Sequence, residues 1–298
     1  MNNLNELDGN QRRVFIDCLQ AYNGLIDAIK VSRQYRGGMR WKKTGDREYL
    51  FKTRDSRGNG KSMGVRSLET ELIYNQFKQG KLDNLNRSDE LKKSLSRLSK
   101  LAIAEGINRM PKLPAQIVRL LNQEGVMGNG LSVIGTHSIY AYEAAAGVMV
   151  GSNIVATQDI DLMYRANNSL KLSSANVKNE GLIGLLQKVD KSFRVAKKGH
   201  FMAQNNKGFM VELIKPTPTP TQKIESQAIS SCEEDLIAAE LPGLRWLESA
   251  PSFKQVVIAS DGIPVELIVP DPRYFALNKL WVSQQADRDP VKKPRDNA

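Results

Sequence analysis

The chain has 298 residues, 41% of them hydrophobic and 25% charged, and its formal net charge at pH 7 is +11. This length favours two domains, or one domain with an elaborated flank, and the lack of any run of about 18 apolar residues argues against a membrane-spanning helix. The N-terminus lacks the basic start and apolar stretch of a secretory signal, and the two distant cysteines argue against a disulfide scaffold or a zinc site, so we expect a cytoplasmic protein.

Residues 1–125 are predicted to form a mainly helical and basic N-terminal region. Apolar residues recur there at spacings of three and four, which is typical of amphipathic helices. The segments with this pattern are 11–36, a helix that begins near Ser67, about 88–107, and 112–124. Residues 39–53 are instead rich in the aromatic and apolar residues typical of strands, and Gly58 and Gly60 predict a turn after them.

Positive charge is concentrated between residues 33 and 66, where 11 side chains are basic and 3 are acidic. A field of this sign attracts phosphates, so a nucleic acid, and RNA in particular, is the macromolecular partner expected for region 33–66. A solvated basic face that binds nothing is the alternative. Trp41, Tyr49 and Phe51 lie in this region and would either stack on bases or be buried in a small sheet.

Residues 126–285 are predicted to form a second domain of shorter, more apolar elements. In chain order these are the strand Leu131–Ile134, a buried helix from Ile139 to Val150, a strand around Ile160 and Leu162, a helix over 180–192, a hairpin of 198–203 with 209–214, a hairpin of 256–258 with 265–269, and a helix over Phe275–Val282. The turns Asn205–Gly208 and Asp261–Gly262 carry the hairpin signals. The polar, proline-containing residues 286–298 are predicted to be a mobile tail.

The segment with the clearest chemistry contains Asp159 and Asp161. Side chains alternate between the two faces of a strand, so these carboxylates would share one face while Ile160 and Leu162 pack into the core. Two carboxylates held so close repel each other, and a divalent cation between them removes the repulsion. With only two histidines in the chain, we expect an oxygen-rich site for Mg²⁺ or Mn²⁺.

Two further segments fit the same site. Gly135 and Thr136 follow a buried strand and precede a helix, and such a turn offers backbone N–H groups and a hydroxyl to a phosphate. Glu212 interrupts an apolar strand and would be a third carboxylate that ligates metal or accepts a proton. Glu266 lies in an echo of the same sequence and is the alternative third acid.

These elements, in this order, resemble the DNA polymerase β-like nucleotidyltransferase superfamily. More narrowly, Ile134–Glu143, Ala156–Leu162 and Pro270–Leu280 look like the bacterial GSU2403-type nucleotidyltransferase-fold family. The likeness covers roughly 45–285, most specifically 131–163 and 205–281. It implies an α+β nucleotidyltransferase fold, in which a small mixed sheet is flanked by helices. This domain follows the mainly helical N-terminal region in the chain.

The resemblance also implies roles for individual residues. Asp159, Asp161 and Glu212 would be the catalytic, metal-binding acids. The residues implied in nucleotide binding are Gly135, Thr136, Ser138 and Lys279. The chain departs from the family pattern where Glu212 replaces the usual Asp and Asn278 replaces a common His, and the interval from Gly135 to Asp159 is longer than usual, which implies a longer helix or a loop inserted at 147–156.

Two functions follow from this resemblance. The first is a metal-dependent nucleotidyltransferase that moves an NMP from an NTP to a hydroxyl acceptor, in RNA or protein, with release of pyrophosphate. The second is a catalytically inactive protein of the same fold that binds nucleotide or nucleic acid, in a defence or toxin–antitoxin system. The departures at Glu212 and Asn278, together with the few residues that follow Lys279, keep the second function open.

Overall fold

A computed structural model of the chain describes residues 4–55, 57–155, 157–165, 175–196, 200–218, 230, 232–286, 288, 290 and 293–297. Helices and strands are both abundant, which confirms the predicted α+β class. The chain divides into two compact units, one formed by residues 13–102 and the other by 1–12 with 103–298. None of the helices in the described ranges has the length and apolarity needed to cross a membrane.

The bounds of the helices and strands are as follows. The helices are α1 Gly9–Ser32, α2 Leu68–Ala104, α3 Lys112–Gln123, α4 Ser138–Ala146, α5 Ser152–Val155, α6 Ala175–Val189, α7 Arg245–Ser249, α8 Pro272–Ser283 and α9 Lys293–Asp296. The strands are β1 Leu4–Glu6, β2 Gly38–Thr44, β3 Arg47–Thr53, β4 Gly60–Val65, β5 Leu131–Ile134, β6 Val148–Val150, β7 Asp159–Tyr164, β8 Arg194–Val195, β9 Met202–Gln204, β10 Met210–Pro216, β11 Ala239–Leu241, β12 Ser252–Ile258 and β13 Pro264–Pro270.

The unit of residues 13–102 is a helical hairpin with a small sheet between its two helices in the chain. The thiol of Cys18 on α1 lies 3.8 Å from the carbonyl oxygen of Leu98 on α2, and the side chain of Asn84 donates to the carbonyl of Ala28, so the two helices run antiparallel. Ser67 caps α2 as predicted, since its hydroxyl accepts from the backbone N–H of Thr70 at 3.3 Å.

Two expectations for this unit were wrong. The helical pattern near Ser67 and that over 88–107 belong to one continuous helix, α2. Residues 60–65 form strand β4 on the edge of β3, where the sequence predicted only a turn around Gly58 and Gly60. The resulting antiparallel sheet has the order β2-β3-β4.

The other unit is built on a mixed sheet with the strand order β5-β7-β10-β9-β8. Strands β7 and β10 are parallel, and the other neighbours in this order are antiparallel. Strand β11 pairs in parallel with the end of β10, beyond the part that β9 covers. A parallel pair needs a crossover, and the helix α6 lies between β7 and β10 in the chain. This is the small mixed sheet that the resemblance implied.

Both predicted hairpins are present, but the strand predicted over 198–203 runs only from Met202 to Gln204, and residues 198 and 199 lie outside the described part of the chain. The predicted helix from Ile139 to Val150 is too long. Strands β9 and β10 pair across the turn Asn205–Gly208, and β12 pairs with β13 across Asp261–Gly262. Helix α4 ends at Ala146 because Gly147 adopts a left-handed conformation, with φ of 67°. The next residues form strand β6, which pairs with β1.

The core of this unit lies between the sheet and the elements packed on one of its faces. Ile160 and Leu162 of β7 are fully buried there, together with residues of α3, α6 and β13. The opposite face of β7 begins with Asp159 and Asp161 and continues with Met163, which is buried against a smaller cluster that contains Leu244 and Leu247. The two aspartates therefore lie at the polar end of a face whose other end is apolar.

Candidate active site

Three carboxylates lie on two neighbouring parallel strands. Asp159 and Asp161 share one face of β7, since Ile160 between them points into the core. Glu212 of β10 is the register partner of Asp161, so its Cα lies about 4.8 Å away, one strand spacing, with its side chain on the same face. All three residues are half-buried. The sheet therefore brings the three predicted acids to one polar patch.

The predicted alternative acid lies elsewhere. Glu266 is on β13, which pairs with β12 in a separate ladder, opposite Val256. Strand β13 has no ladder with β7 or β10 in the described part of the chain. The register places Glu212, and not Glu266, beside the aspartates.

The glycine turn meets the carboxylate patch directly. Gly135 begins a single turn of 3-10 helix between β5 and α4 and has a φ of 69°. A Cβ atom at this position would overlap the carboxylate of Asp161, far inside van der Waals contact. The turn can approach Asp161 this closely only because residue 135 has no side chain.

We expect Gly135→Ala to lower both stability and any activity of the site. The left-handed backbone strain alone should cost about 1–3 kcal/mol, and displacement of the Asp161 carboxylate would add a loss of activity. Gly125→Ala is the matched control, because Gly125 has a φ of 71° but open space where its Cβ would lie. Equal effects of the two substitutions on activity, measured beside urea unfolding, would contradict the proposed contact.

The surroundings of Asp159 are polar on one side and buried on the other. The hydroxyl of Thr157 donates a hydrogen bond to its carboxylate. The ring of His137 is almost fully buried, and its Nε2 atom has no hydrogen-bond partner among the described residues. Burial lowers the pKa of His137 to about 4, although the nearby Asp159 partly opposes this shift. The imidazole is therefore neutral at pH 7 and adds no positive charge beside the aspartates.

A cavity of about 360 Å³ lies next to the glycine turn. Thr136 from the turn and Lys279 from α8 both line it, so the structure brings these two predicted residues to one space. The remaining lining is mainly apolar, with polar groups from the C-terminal segment: Ile139, Val150, Ile154, Phe275, Ala276, Leu280, Asp296 and Asn297. Its volume lies in the range of small-molecule sites.

Lys279 is engaged in an ion pair at this cavity. Its Nζ atom lies 3.1 Å from a carboxylate oxygen of Asp296 and 5.7 Å from the centre of the Phe275 ring. Asp296 also pairs with Arg288 at 2.6 Å, and its side chain is only 1% exposed. A residue of the segment predicted to be a mobile tail thus neutralises the cation that was expected to face a triphosphate.

Two residues of the family pattern do not face the cavity or the carboxylates. Ser138 is fully buried, and its hydroxyl donates to the carbonyl of Val133 at 3.3 Å. Asn278 is buried on α8 and donates to the carbonyl of Gly243 at 3.3 Å. Each holds neighbouring backbone in place, so Ser138 is poorly placed to bind a phosphate.

The carboxylate oxygens are ligands of the kind that Mg²⁺ and Mn²⁺ take in proteins. Within the described ranges, no three or more His, Cys, Asp or Glu side chains are grouped closely enough to hold a metal ion by themselves. Mg²⁺ typically takes one or two carboxylates together with water and substrate phosphates. Asp159 and Asp161 offer such a pair of oxygen ligands, with Glu212 beside them as an additional acid.

A buried ion pair that was not predicted from the sequence supports α4. The Nη2 atom of Arg109 lies 2.9 Å from Oε1 of Glu143 and 2.7 Å from the carbonyl oxygen of Val150. The same Oε1 accepts from the N–H of Val150 at 2.6 Å. Glu143 stood out only as a lone acid in an apolar helix, which is a weak signal. This cluster fixes α4, the helix that follows the glycine turn, to strand β6.

The sequence matches a family described as nucleotidyltransferase over residues 113–298. The match covers more than half of the chain and includes the carboxylate patch, the glycine turn and the cavity. A search of curated proteins and a search of solved structures returned no match.

Proposed function

The chain belongs to the nucleotidyltransferase family, and from this premise we propose that it moves an NMP from an NTP to a hydroxyl acceptor with release of pyrophosphate. Membership of the family supports nucleotidyl transfer in general. The finer proposal depends on one observation above all, the register of β7 and β10 that sets Glu212 beside Asp161 at the glycine turn.

In the proposed reaction the acceptor oxygen attacks the α-phosphorus of the NTP. A new oxygen–phosphorus bond forms, the bond from the α-phosphorus to the bridging oxygen breaks, and pyrophosphate leaves. Glu212 accepts the proton of the acceptor hydroxyl, directly or through water. Asp159 and Asp161 would hold Mg²⁺ or Mn²⁺, which would supply neutralisation of phosphate charge and activation of the acceptor oxygen.

The glycine turn and the cavity suit the nucleotide. Backbone N–H groups of the turn at Gly135 and the hydroxyl of Thr136 would bind phosphate oxygens. Lys279 would contact the triphosphate from the other wall of the cavity, and the apolar lining would receive the less polar part of the substrate. Since Asp296 pairs with Lys279, the triphosphate must replace this carboxylate as the partner of the lysine.

The direct test is an incubation of the full chain with each NTP in turn, with Mg²⁺ or Mn²⁺, and with cellular RNA or protein as acceptor. Release of pyrophosphate together with a labelled product supports the enzyme. Nucleotide binding without pyrophosphate for any NTP and acceptor would instead support the second function, an inactive protein of this fold that binds nucleotide or nucleic acid.

The ion pair of Lys279 and Asp296 leads to a separate prediction about NTP affinity. We expect Asp296→Asn to tighten NTP binding by about tenfold, because the carboxylate that competes with the triphosphate is lost, and Lys279→Met to weaken it by a similar factor. Calorimetry or nucleotide fluorescence would measure both. Asp271→Asn removes one negative charge at the start of the same helix and keeps a residue that can cap it, so this control should bind NTP like the unaltered chain.

A further inference from the structure

The small sheet β2-β3-β4 has one face covered by α2 and one face turned away from it. On the covered face, Leu50 is fully buried and Trp41 packs on Tyr74 of α2, with ring centres 5.7 Å apart. Side chains alternate along a strand, so Tyr49 and Phe51, the neighbours of Leu50 on the central strand, point to the opposite, outer face. All three aromatic rings are half-buried, but Trp41 packs against α2 whereas Tyr49 and Phe51 lie on the face away from it.

The outer face places a cation beside each of these rings. In the antiparallel ladder, Arg40 is the register partner of Phe51, and Lys42 is the register partner of Tyr49. The Nζ atom of Lys42 lies 5.7 Å from the centre of the Phe51 ring. Arg40 and Lys42 are exposed, while both rings are half-buried and so keep part of their surface in solvent.

The charge of the outer face has one sign. Its residues on the three strands, all of them described, are Gly38, Arg40, Lys42, Thr44, Arg47, Tyr49, Phe51, Thr53, Gly60, Ser62 and Val65. None is acidic. The acid of this sheet, Glu48, lies on the covered face and pairs with Arg66 at 2.6 Å. The outer face therefore offers two adjacent aromatic rings inside a field that attracts phosphates.

We propose that the outer face of β2-β3-β4 binds single-stranded RNA, with bases stacked on Tyr49 and Phe51 and phosphates held by Arg40, Lys42 and Arg47. Stacking requires unpaired bases, which a duplex does not present, so the geometry selects single strands. Two aromatic residues two positions apart on a central strand share one face and are spaced to receive successive bases. This function is separate from nucleotidyl transfer and does not depend on it.

The hydroxyl of Ser62 on the outer face favours RNA over DNA. Ser62 is the register partner of Phe51 on the other edge of the central strand, and it is exposed. Its hydroxyl is thus next to the ring on which a base would stack, where a ribose presents a 2′-OH that can donate or accept a hydrogen bond. A deoxyribose presents no such group, so RNA gains an interaction that DNA lacks.

The test is fluorescence anisotropy with the full chain and a labelled single-stranded RNA of about 12 nucleotides, a length within the range of known single-strand sites. Tyr49→Leu with Phe51→Leu keeps apolar bulk for folding but removes both stacking surfaces, and this double variant should weaken binding at least about tenfold. Far-UV circular dichroism and thermal unfolding would show that the sheet is retained.

Charge variants provide the second arm. Arg40→Gln with Lys42→Gln should weaken binding and lower the slope of log affinity against log salt by about 0.7 per lost phosphate contact. Lys92→Gln with Lys93→Gln removes the same charge from the exposed surface of α2 and should leave the slope almost unchanged. If the affinity and the salt slope fall equally in the Arg40/Lys42 variant and in the Lys92/Lys93 variant, net charge alone attracts the RNA. That result would overturn the proposal.

Three other outcomes would overturn it. The leucine double variant could bind RNA as tightly as the unaltered chain. Single-stranded DNA, or duplex RNA, of the same sequence could bind as tightly as the single-stranded RNA. The chain could bind vesicles that contain phosphatidylserine, in a manner lost in the leucine variant, without binding RNA. Because none of these measurements uses pyrophosphate release, failure here leaves the proposed nucleotidyl transfer untouched, and the reverse also holds.

Discussion

Nucleotidyl transfer is expected to fall by at least about 10³-fold when Asp159 or Asp161 is replaced by Asn. The substitution keeps the shape of the side chain but removes the negative charge that would hold the divalent cation. Neither carboxylate is in the hydrophobic core, so stability to urea should change by less than about 1 kcal/mol. Pyrophosphate release and incorporation of labelled NTP measure the loss, and unfolding curves measure the stability.

A matched pair of glutamates makes this prediction sharper. Glu212 and Glu266 lie in the same four-residue sequence, Val-Glu-Leu-Ile, but only Glu212 is in register with Asp161. Glu212→Gln should lower transfer by about 10²-fold, as expected for the loss of a general base, while Glu266→Gln should leave it unchanged. Activity that survives in both aspartate variants, or a loss that follows Glu266, would reject the assignment of the site.

The largest expected effect on stability is at the buried ion pair of Arg109 and Glu143. Arg109→Met should lower the free energy of unfolding by about 3 kcal/mol, because Glu143, which is 4% exposed, would lose its charged partner. The N–H of Val150 would remain as a hydrogen-bond donor to this carboxylate. Urea or thermal unfolding of the purified chain would measure the change.

Two controls test whether the loss of stability comes from the unpaired buried charge of Glu143. Arg109→Met with Glu143→Leu removes both partners and should recover most of the lost stability, since replacing a whole buried pair by apolar residues is often close to neutral. Lys93→Met removes a cation from the exposed pair with Glu90 and should leave the free energy of unfolding almost unchanged. If the single and double variants at Arg109 are equally unstable, the ion pair is not the source of the effect.

Local patterns were enough to predict the elements that surround the carboxylates. Strand β5 consists of four residues between glycines, and both hairpin turns contain the Asn, Asp and Gly residues that favour such turns. The alternation of acids with Ile160 and Leu162 indicated one polar face, because a strand with one buried side permits no other register. These features depend on residues close together in the chain, so they can be predicted from the sequence.

The remaining features depend on partners far away in the chain. Strand β4 has a weak pattern, with Gly60 and Gly64 in it, and is held by its ladder with β3. Helix α2 contains Gly80, which interrupts its apolar pattern, yet a Cβ there would overlap the hydroxyl of Tyr35. The pair of Lys279 and Asp296 joins a helix to a polar segment without periodicity. No window of neighbouring residues contains the information that fixes these contacts.

The parallel pairing of β7 with β10 also has a consequence for the order in which the protein is made. Synthesis delivers Asp159 and Asp161 first, then the crossover helix α6 and the hairpin strand β9, and only then Glu212. Contacts between segments far apart in the chain form slowly, because the entropy cost of closing the intervening loop comes before the contacts stabilise the fold. A nascent chain on the ribosome thus carries both aspartates without their neighbour, and the complete acid patch arises only after β10 has left the exit tunnel.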